Sequence, residues 1–243
     1  MSSPSSRAPA EGTSPVDVPT VVAFDFDGTL TRGGSVFPFL IRVRGMVPVA
    51  VAVLRTLPAL VRAALVGGPA ADQAKESLFV RLLGGLPAER IDTVAEAFAD
   101  EHLRRRLRPE MRERLEHHRS LGHQVVIVSA SPECYVKVAG RIMGVDAVLA
   151  TRLRVGNGLL TGRYEGRNCR GAEKYARLVG WLRSEGLNGA GSAQPVLWAY
   201  GNSRGDLRLL SAADHGIDAG RLGRFGRLRQ FPRLSDPSAA PRP

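Results

Sequence analysis

The segment Val21-Val-Ala-Phe-Asp-Phe-Asp-Gly-Thr-Leu-Thr31 decides the fold. Its apolar start is typical of a buried strand, and two carboxylates, Asp25 and Asp27, follow directly before a Gly-Thr turn. Ligands of open parallel sheets bind beyond the carboxyl ends of the strands, so we expect both carboxylates in such a crevice. Neighbouring carboxylates repel each other unless a divalent cation or a shared proton makes use of them. The alternative interpretation of Asp-x-Asp-Gly is a helix N-cap with a common turn.

Composition and charge restrict the class of partner. The chain has 243 residues with a formal charge of +11, and arginine carries nearly all of the positive charge. Guanidinium groups pair bidentately with phosphate, so this balance suits phosphate esters or anionic lipid headgroups, although a basic composition without any binding role is the alternative. Aromatic residues make up only 6% and do not alternate with the basic ones, which argues against nucleic acid. Two cysteines without a disulfide or zinc pattern, and an N-terminus without an apolar signal segment, indicate a cytoplasmic protein.

The order of predicted elements indicates an α/β core with an insertion. Residues 1–19 and 229–243 are rich in proline and small residues and are predicted to be a disordered leader and tail. Residues 35–118 show consecutive helical patterns and are predicted to form a cap, inserted into a core of residues 20–34 and 119–228. Strands are predicted at 21–24, 123–128, 145–150, 195–200 and 216–219, a hairpin over 151–164, and core helices at 133–143, 171–184 and 207–213.

The most apolar segment, residues 46–67, is not a predicted membrane span. Its longest run without a charge is about half of the ~20 residues that a bilayer requires. The intervals between Arg44, Arg55 and Arg62 would place all three on one stripe of a helix. Two interpretations remain open: a buried cap helix with one polar edge, or an interfacial helix that touches a bilayer or a lipid substrate.

Polar residues follow the predicted strands and would meet at one edge of the sheet. They are Asp25, Asp27, Ser129, Asn202 and Asp206, and Lys174 stands at a predicted helix start between Ser129 and Asn202. Carboxylates, a hydroxyl group and a lysine are the components of magnesium-assisted phosphoryl transfer. Each of them alone could be a helix cap or a solvated side chain, but their joint order favours one shared site.

Together these motifs resemble the haloacid-dehalogenase (HAD) superfamily, close to the subfamily IB phosphatases, over about residues 20–220. The resemblance rests on Asp25-Phe-Asp-Gly-Thr-Leu-Thr31, Val-Ile-Val-Ser129-Ala-Ser-Pro, Ala150-Thr-Arg-Leu with Leu160-Thr-Gly162, Asn168-Cys-Arg-Gly-Ala-Glu-Lys174 and Tyr200-Gly-Asn-Ser-Arg-Gly-Asp206. It implies an α/β fold, with a Rossmann-like three-layer core around a parallel sheet and an inserted all-helical, C1-type cap.

The resemblance also implies a role for each residue. Asp25 would be the nucleophile that forms an aspartyl-phosphate, and Asp27 the general acid and then the general base. The phosphoryl group would be bound by Ser129, Lys174, Thr29, Gly28 and Ala130. Magnesium would be bound by Asp25, Asp27, Asp206 and Asn202.

Two departures from the family pattern affect the expected function. Asn202 stands where the family usually has aspartate, so weaker binding of Mg²⁺ is expected, with Asp206 compensating. Gly33 and Gly34 replace an acid that faces the substrate in relatives such as phosphoserine phosphatases, which disfavours an amino-bearing substrate.

The expected function is therefore a Mg²⁺-dependent phosphomonoesterase acting on a lipid phosphate such as phosphatidylglycerophosphate, with peripheral contact between the cap and the inner face of the membrane. Two alternatives remain open. One is a phosphatase of a small soluble phosphate monoester. The other is a catalytically weakened HAD-like binding module, suggested by Asn202 alone.

Overall fold

The computed structural model describes residues 18–187, 194–220, 228, 230–236 and 239. The strands in these ranges are β1 (Thr20–Phe24), β2 (Gln124–Pro132), β3 (Ala147–Thr151), β4 (Leu153–Gly156), β5 (Leu159–Tyr164), β6 (Val196–Gly201) and β7 (His215–Asp218). The helices are α1 (Val36–Arg44), α2 (Met46–Val66), α3 (Gly68–Leu83), α4 (Ala88–Arg106), α5 (Pro109–Ser120), α6 (Glu133–Met143), α7 (Ala172–Ser184) and α8 (Leu207–Ala212).

The central sheet has the order β3-β2-β1-β6-β7, and every neighbouring pair is parallel. Alternate residues of β1 face opposite sides, because side chains alternate along a strand. Val22 and Phe24 belong to the hydrophobic core that includes residues of α5 and α6. Val21 and Ala23 belong to a second core with residues of α7 and α8. This three-layer arrangement confirms the predicted Rossmann-like α/β fold, with β1 at the centre of the sheet.

Helices α1 to α5 separate β1 from β2 in the chain, and the two connections to the core lie side by side. The Arg32 N–H donates to the Arg106 carbonyl at 2.7 Å, and the Arg108 N–H donates to the Leu30 carbonyl at 2.9 Å. Helix α5 packs against β2 and contributes Met111 to the core of the sheet. One helix of the predicted cap of residues 35–118, α5, therefore packs against a face of the sheet and belongs to the core layer.

Strands β4 and β5 form the predicted hairpin, with Asn157 and Gly158 both at positive φ in its turn. The hairpin packs closely against α3 of the cap. Gly162 has φ +73°, and a Cβ there would lie 2.4 Å from the Cα of Val80. Only glycine allows this approach, so Gly162 contributes to the contact between hairpin and cap.

The predicted disordered leader, residues 1–19, lies largely outside the described residues, and so does part of the predicted tail, residues 229–243. Residues 230–236 are described, and they contact the edge of the sheet, because the Asp218 N–H donates to the Pro232 carbonyl at 2.8 Å. This contact is not expected for a disordered tail. Strand β7 is an edge strand, and the tail pairs with backbone groups that a sheet edge leaves without a partner.

Both interpretations of the apolar segment assume that Arg44, Arg55 and Arg62 lie on one helix, and the structure differs from them at Arg44. Arg44 lies at the end of α1, separated from α2 by Gly45 at φ +84°, and its Nε donates to the Leu82 carbonyl at 2.6 Å. The predicted stripe of three arginines is therefore wrong for Arg44, because the chain turns at Gly45. Arg55 and Arg62 both lie in α2 and are exposed.

The interpretation of α2 as a buried helix is also wrong. One face packs through Val49, Ala52 and Thr56, but the opposite face is open, with Val47 73% and Leu65 83% exposed. The other exposed large apolar side chains of α2 are Met46, Val51, Leu54, Leu57, Val61 and Val66. In the part of the chain that the structure describes, no helix has the length and hydropathy required to cross a membrane.

Candidate active site

Asp25 lies at the carboxyl end of the central strand, where its carboxylate is buried and held from two sides. Oδ2 accepts a hydrogen bond from Thr29 Oγ1 at 2.9 Å, and Oδ1 accepts one from Lys174 Nζ at 2.5 Å. The β1 segment continues straight into a tight turn, in which the Leu30 N–H donates back to the Asp25 carbonyl. The orientation of this carboxylate is thus fixed by the chain that follows it and by α7.

Lys174 joins two acidic residues beneath the site. It lies in the first turn of α7, is buried, and also donates to Asp206 Oδ1 at 2.6 Å. Burial opposes its charge, but Asp206 and Asp25 outweigh burial and raise the pKa of Lys174, so the ammonium stays charged. Burial and the Asp206 charge raise the pKa of Asp25 to about 7, although Lys174 acts in the opposite direction. The positive charge of Lys174 is therefore shared between two carboxylates.

Asp27 is half-buried and is held by groups from both the cap and the core. Its Oδ1 accepts a hydrogen bond from the Ser35 N–H at 2.9 Å, and its Oδ2 accepts one from Ser131 Oγ at 2.5 Å. The Ser35 hydroxyl also lies 2.8 Å from the Tyr135 hydroxyl. Ser35 immediately precedes α1, so the carboxylate that would transfer protons is attached to the start of the cap.

Sequence reasoning did not identify Ser35, Ser131 or Tyr135 as site residues. Ser131 lies in the quoted Ser129-Ala-Ser-Pro motif, so its hydroxyl was a signal that could have been used. Ser35 and Tyr135 are 100 residues apart in the chain. Only the fold brings them together.

Gly28 and Asn202 form the closest contact between two loops of the site. Gly28 has φ +80°, and a Cβ there would lie 2.0 Å from Asn202 Nδ2, so only glycine fits. In this orientation the amide oxygen of Asn202 faces Asp25 Oδ2 and the Asp27 carbonyl. Turned over, the amide lets its NH₂ group donate to these two oxygens, at 3.3 and 3.2 Å.

This arrangement of oxygens fits a magnesium ion. A carboxylate, a backbone carbonyl and a side-chain amide supply the hard oxygen ligands that Mg²⁺ requires, and the inner end of the Asn202 amide lies 3.3 Å from Asp25 Oδ2 and 3.2 Å from the Asp27 carbonyl. Among the described residues, no three His, Cys, Asp or Glu side chains gather in a way that could hold a metal ion. The ligand set here depends instead on Asn202 and on a main-chain oxygen.

Asp206 has a different environment from the one expected of a direct metal ligand. Oδ1 accepts from Lys174, and Oδ2 accepts from the Asn202 N–H, the Ser203 N–H and Ser203 Oγ at 3.1, 2.9 and 2.7 Å. Burial opposes ionisation, but Lys174 and these donors outweigh it and lower the pKa of Asp206. Asp206 therefore holds the Asn202 loop and Lys174 in place, and its contact with a metal stays a prediction.

Ser129 and Ala130 lie at the end of β2, next to β1. Ser129 is buried and its Oγ accepts a hydrogen bond from the Ser131 N–H at 3.1 Å. The Ala130 carbonyl accepts from Thr151 Oγ1 at 2.8 Å and from Lys75 Nζ at 2.6 Å. The structure thus connects Asp25, Thr29, Lys174, Asn202 and Asp206 directly, and places Ser129 and Ala130 on the adjacent strand end.

Comparison with known proteins places the chain in a family. A sequence model of the haloacid dehalogenase-like hydrolases matches residues 22–211. Protein CicA of Caulobacter vibrioides (strain NA1000 / CB15N) is 35% identical over 197 residues, which cover 81% of this chain and 84% of CicA.

Solved structures agree on the fold. A protein of unknown function from Bordetella pertussis Tohama I has a TM-score of 0.73 at 23% identity, with 89% of this chain and 98% of that chain covered. A phosphoserine phosphatase solved as a phospho-aspartyl intermediate analogue has a TM-score of 0.57 at 21% identity, covering 83% and 87%. At these identities the likeness establishes the fold. The family match extends over most of the chain, and the predicted resemblance is confirmed at this level: the protein belongs to the haloacid dehalogenase-like hydrolase family.

Proposed function

We propose that the protein hydrolyses phosphomonoesters through a phosphorylated Asp25. The observation that carries the proposal is the fixed carboxylate of Asp25 at the end of the central strand, held by Thr29 and Lys174. Covalent catalysis divides a difficult displacement into two easier ones. A nucleophile that must attack in line benefits from an orientation set before the substrate arrives.

The chain supplies the groups for both steps. In the first, a carboxylate oxygen of Asp25 forms a bond to phosphorus, the bond from phosphorus to the leaving oxygen breaks, and Asp27 gives a proton to that oxygen. In the second, Asp27 takes a proton from water, the water oxygen attacks phosphorus, and Asp25 is released with inorganic phosphate. In both steps the ammonium group of Lys174 offsets the negative charge of the anionic groups.

Mg²⁺, held by Asp25, the Asp27 carbonyl and Asn202, would offset the negative charge of the phosphoryl oxygens. Because Asn202 is neutral, we expect weaker binding than an aspartate would give. Asp206 would contribute to Mg²⁺ binding through a water molecule, or indirectly through its effect on Lys174. The assembled groups favour an enzyme over a binding module that has lost activity.

The activity is tested with an aryl phosphate, with and without Mg²⁺. We expect turnover that requires Mg²⁺ and that falls by at least about 10³-fold in Asp25→Asn, because the nucleophile is removed. Asp92→Asn, an exposed acid on α4, is the matched control and should behave as the wild type. Mg²⁺ binding is measured separately by calorimetry. Equal rates for Asp25→Asn and the wild type would contradict the proposal.

We also propose that the substrate is a lipid phosphate reached from an anionic membrane at the cytoplasmic face. Support comes from α2, whose open face carries Val47, Val51, Leu54, Val61 and Leu65 at spacings of three, four and seven residues. Such spacings place these side chains on one side of a helix.

Charge favours a membrane as the occupant of this face. Arg55 and Arg62 each follow a residue of the apolar row by one position, so they border it on one edge. An apolar row with arginines beside it fits the boundary between lipid tails and anionic headgroups. A protein partner would need to bury the same apolar row without such headgroups.

Co-sedimentation with vesicles containing phosphatidylglycerol tests this surface. We expect binding by the wild type that weakens with salt, and loss of binding in Leu54→Asp and in Arg55→Ser/Arg62→Ser. Arg112→Ser, on α5, is the control and should bind normally. No binding by the wild type would refute the membrane proposal and favour a small soluble phosphate monoester. Self-association that Leu54→Asp abolishes would assign the face to a second copy of the chain.

A further inference from the structure

Lys75 of the cap reaches into the core beside the phosphate-binding strand end. It lies in α3, and its Nζ donates to the Ala130 carbonyl at 2.6 Å and to Asn168 Oδ1 at 3.3 Å. Ala130 directly follows Ser129, which is predicted to bind the phosphoryl group. An ammonium group from the cap therefore stands next to the site at which phosphate would bind.

This ammonium group has neutral oxygens as its hydrogen-bond partners. Among the described residues, no carboxylate lies within ion-pair distance of Lys75 Nζ. Asp72, one turn earlier in α3, is engaged elsewhere: its Oδ1 accepts from Asn168 Nδ2 at 2.6 Å and lies 4.0 Å from the Arg170 guanidinium. A partly buried ammonium group without a counter-ion is costly.

The nearby acids act on Lys75 without forming an ion pair with it. Asp72 lies 4.0 Å from the Arg170 guanidinium, and Asp27 influences Lys75 through its charge alone. Burial lowers the pKa of Lys75 to about 8, with Asp27 and Asp72 acting in the opposite direction. The ammonium group is charged at neutral pH and would gain from an anion beside it.

We infer that Lys75 binds a second anionic group of the substrate, so that the substrate is a phosphomonoester whose leaving group carries a carboxylate or a phosphodiester. The inference rests on the proposed phosphatase activity and adds its substrate class. A lipid phosphoglycerol meets the requirement, because a phosphodiester lies three carbons from its phosphomonoester. A substrate with an ammonium group at that place would be repelled.

A purely structural role would use the same contacts, with Lys75 holding the cap against β2. The two roles differ in what the loss of Lys75 does. Loss of a structural contact lowers the rate with every substrate alike. Loss of a binding group changes the ratio between an anionic substrate and its neutral counterpart.

The test compares 3-phosphoglycerate with sn-glycerol 3-phosphate, which differ by a carboxylate in place of a hydroxymethyl group. We expect the wild type to prefer the anionic substrate in kcat/KM. Lys75→Met should lower that preference by about 10- to 100-fold, mainly through KM, because a charge-assisted contact is lost. Lys75→Arg should keep most of it. Lys137→Met, an exposed lysine of α6, is the control and should match the wild type.

A second arm uses phosphatidylglycerophosphate in vesicles and separates the two sources of the anion. A loss of kcat/KM in Lys75→Met with the lipid alone assigns the anion to a lipid phosphodiester, and a loss with 3-phosphoglycerate supports a soluble carboxylate. If the wild type hydrolyses the soluble pair with no preference for the anionic ester, and Lys75→Met shows no loss specific to the lipid, the inference is overturned and the phosphatase activity still stands. An equal loss for both substrates of the pair, without a loss specific to the lipid, also overturns it. A wild type that hydrolyses none of them overturns the proposed function as well.

Discussion

Arg108 offers the sharpest test of how the turn after β1 is held. It immediately precedes α5, and its side chain is 4% exposed. Its Nη1 lies within hydrogen-bond distance of three carbonyl oxygens: Gly28 at 3.0 Å, Thr29 at 3.1 Å and Ala219 at 2.7 Å. The guanidinium group thereby joins the turn after β1 to the segment after β7. Arg108→Met removes these donors and keeps much of the side-chain volume.

The expected loss of stability follows from these contacts. A hydrogen bond from a charged group contributes about 1.5–3 kcal/mol, and the three acceptors here share one nitrogen, so their contributions do not add. The variant also leaves buried carbonyls without that donor. We expect the free energy of unfolding to fall by about 3 kcal/mol. For a chain of this size, that corresponds to a decrease of roughly 6–12 °C in Tm.

Urea unfolding followed by tryptophan fluorescence measures the change, with Arg104→Met as the control. Arg104 is 71% exposed and pairs only with Asp100 among the described residues, at 2.7 Å, so its loss should cost at most about 1 kcal/mol. The value of kcat should also fall in Arg108→Met, because the turn after β1, which Arg108 holds, bears Asp27 and Gly28. The stability and kcat of Arg108→Lys should lie between those of the wild type and Arg108→Met. If Arg108→Met matched Arg104→Met in both stability and kcat, the reasoning would be refuted.

Three further predictions concern the metal, the second anion and the buried histidine. Asn202→Asp should lower the Mg²⁺ concentration needed for half-maximal activity and tighten Mg²⁺ binding in calorimetry; if neither changes, Asn202 is not a ligand. The preference for 3-phosphoglycerate should decline as pH rises through about 8, where Lys75 loses its charge, and Lys75→Arg should abolish that decline; a flat wild-type profile would contradict the assignment. Burial, together with His123, lowers the pKa of His118 from 6.5 to about 3, so the unfolded chain binds more protons below pH 6.5 and stability falls as pH falls. His118 should therefore cost about 2 kcal/mol of stability between pH 7 and pH 5, and a pH dependence that is unchanged in His118→Gln would count against this.

Much of the core could be predicted, because the signals for it are local. The β-branched run at 123–128 and the apolar run at 21–24 indicated buried strands, and Asn157-Gly158 indicated the hairpin turn. The polar strand ends could be assembled into one site, since the carboxyl ends of parallel strands share an edge of the sheet.

The contacts that sequence reasoning missed join residues far apart in the chain. Lys75 meets Ala130 across 55 residues, and Arg108 meets Gly28 across 80. Neither residue has a sequence signature, because a lysine or arginine in a helical region is usually a solvated side chain. Only the position of the cap over the sheet determines what these cations touch.

Helix α2 shows a different limit of the sequence pattern. Residues that are apolar on most sides of a helix indicate burial, yet α2 leaves its outer face open, because α1 and α3 cover only the opposite side. Hydropathy states how much apolar surface a helix has. It does not state whether a partner inside the same chain covers that surface.

The most direct measurement is the capture of the phosphorylated enzyme. After rapid acid quenching of a reaction with a ³²P-labelled phosphomonoester substrate and Mg²⁺, we predict label on the wild-type protein that hydroxylamine releases, as an acyl phosphate requires, and no label on Asp25→Asn. Peptide mapping should place the label at Asp25. Label that persists in Asp25→Asn, or turnover of the wild type without any trapped label at every quench time, would contradict the account.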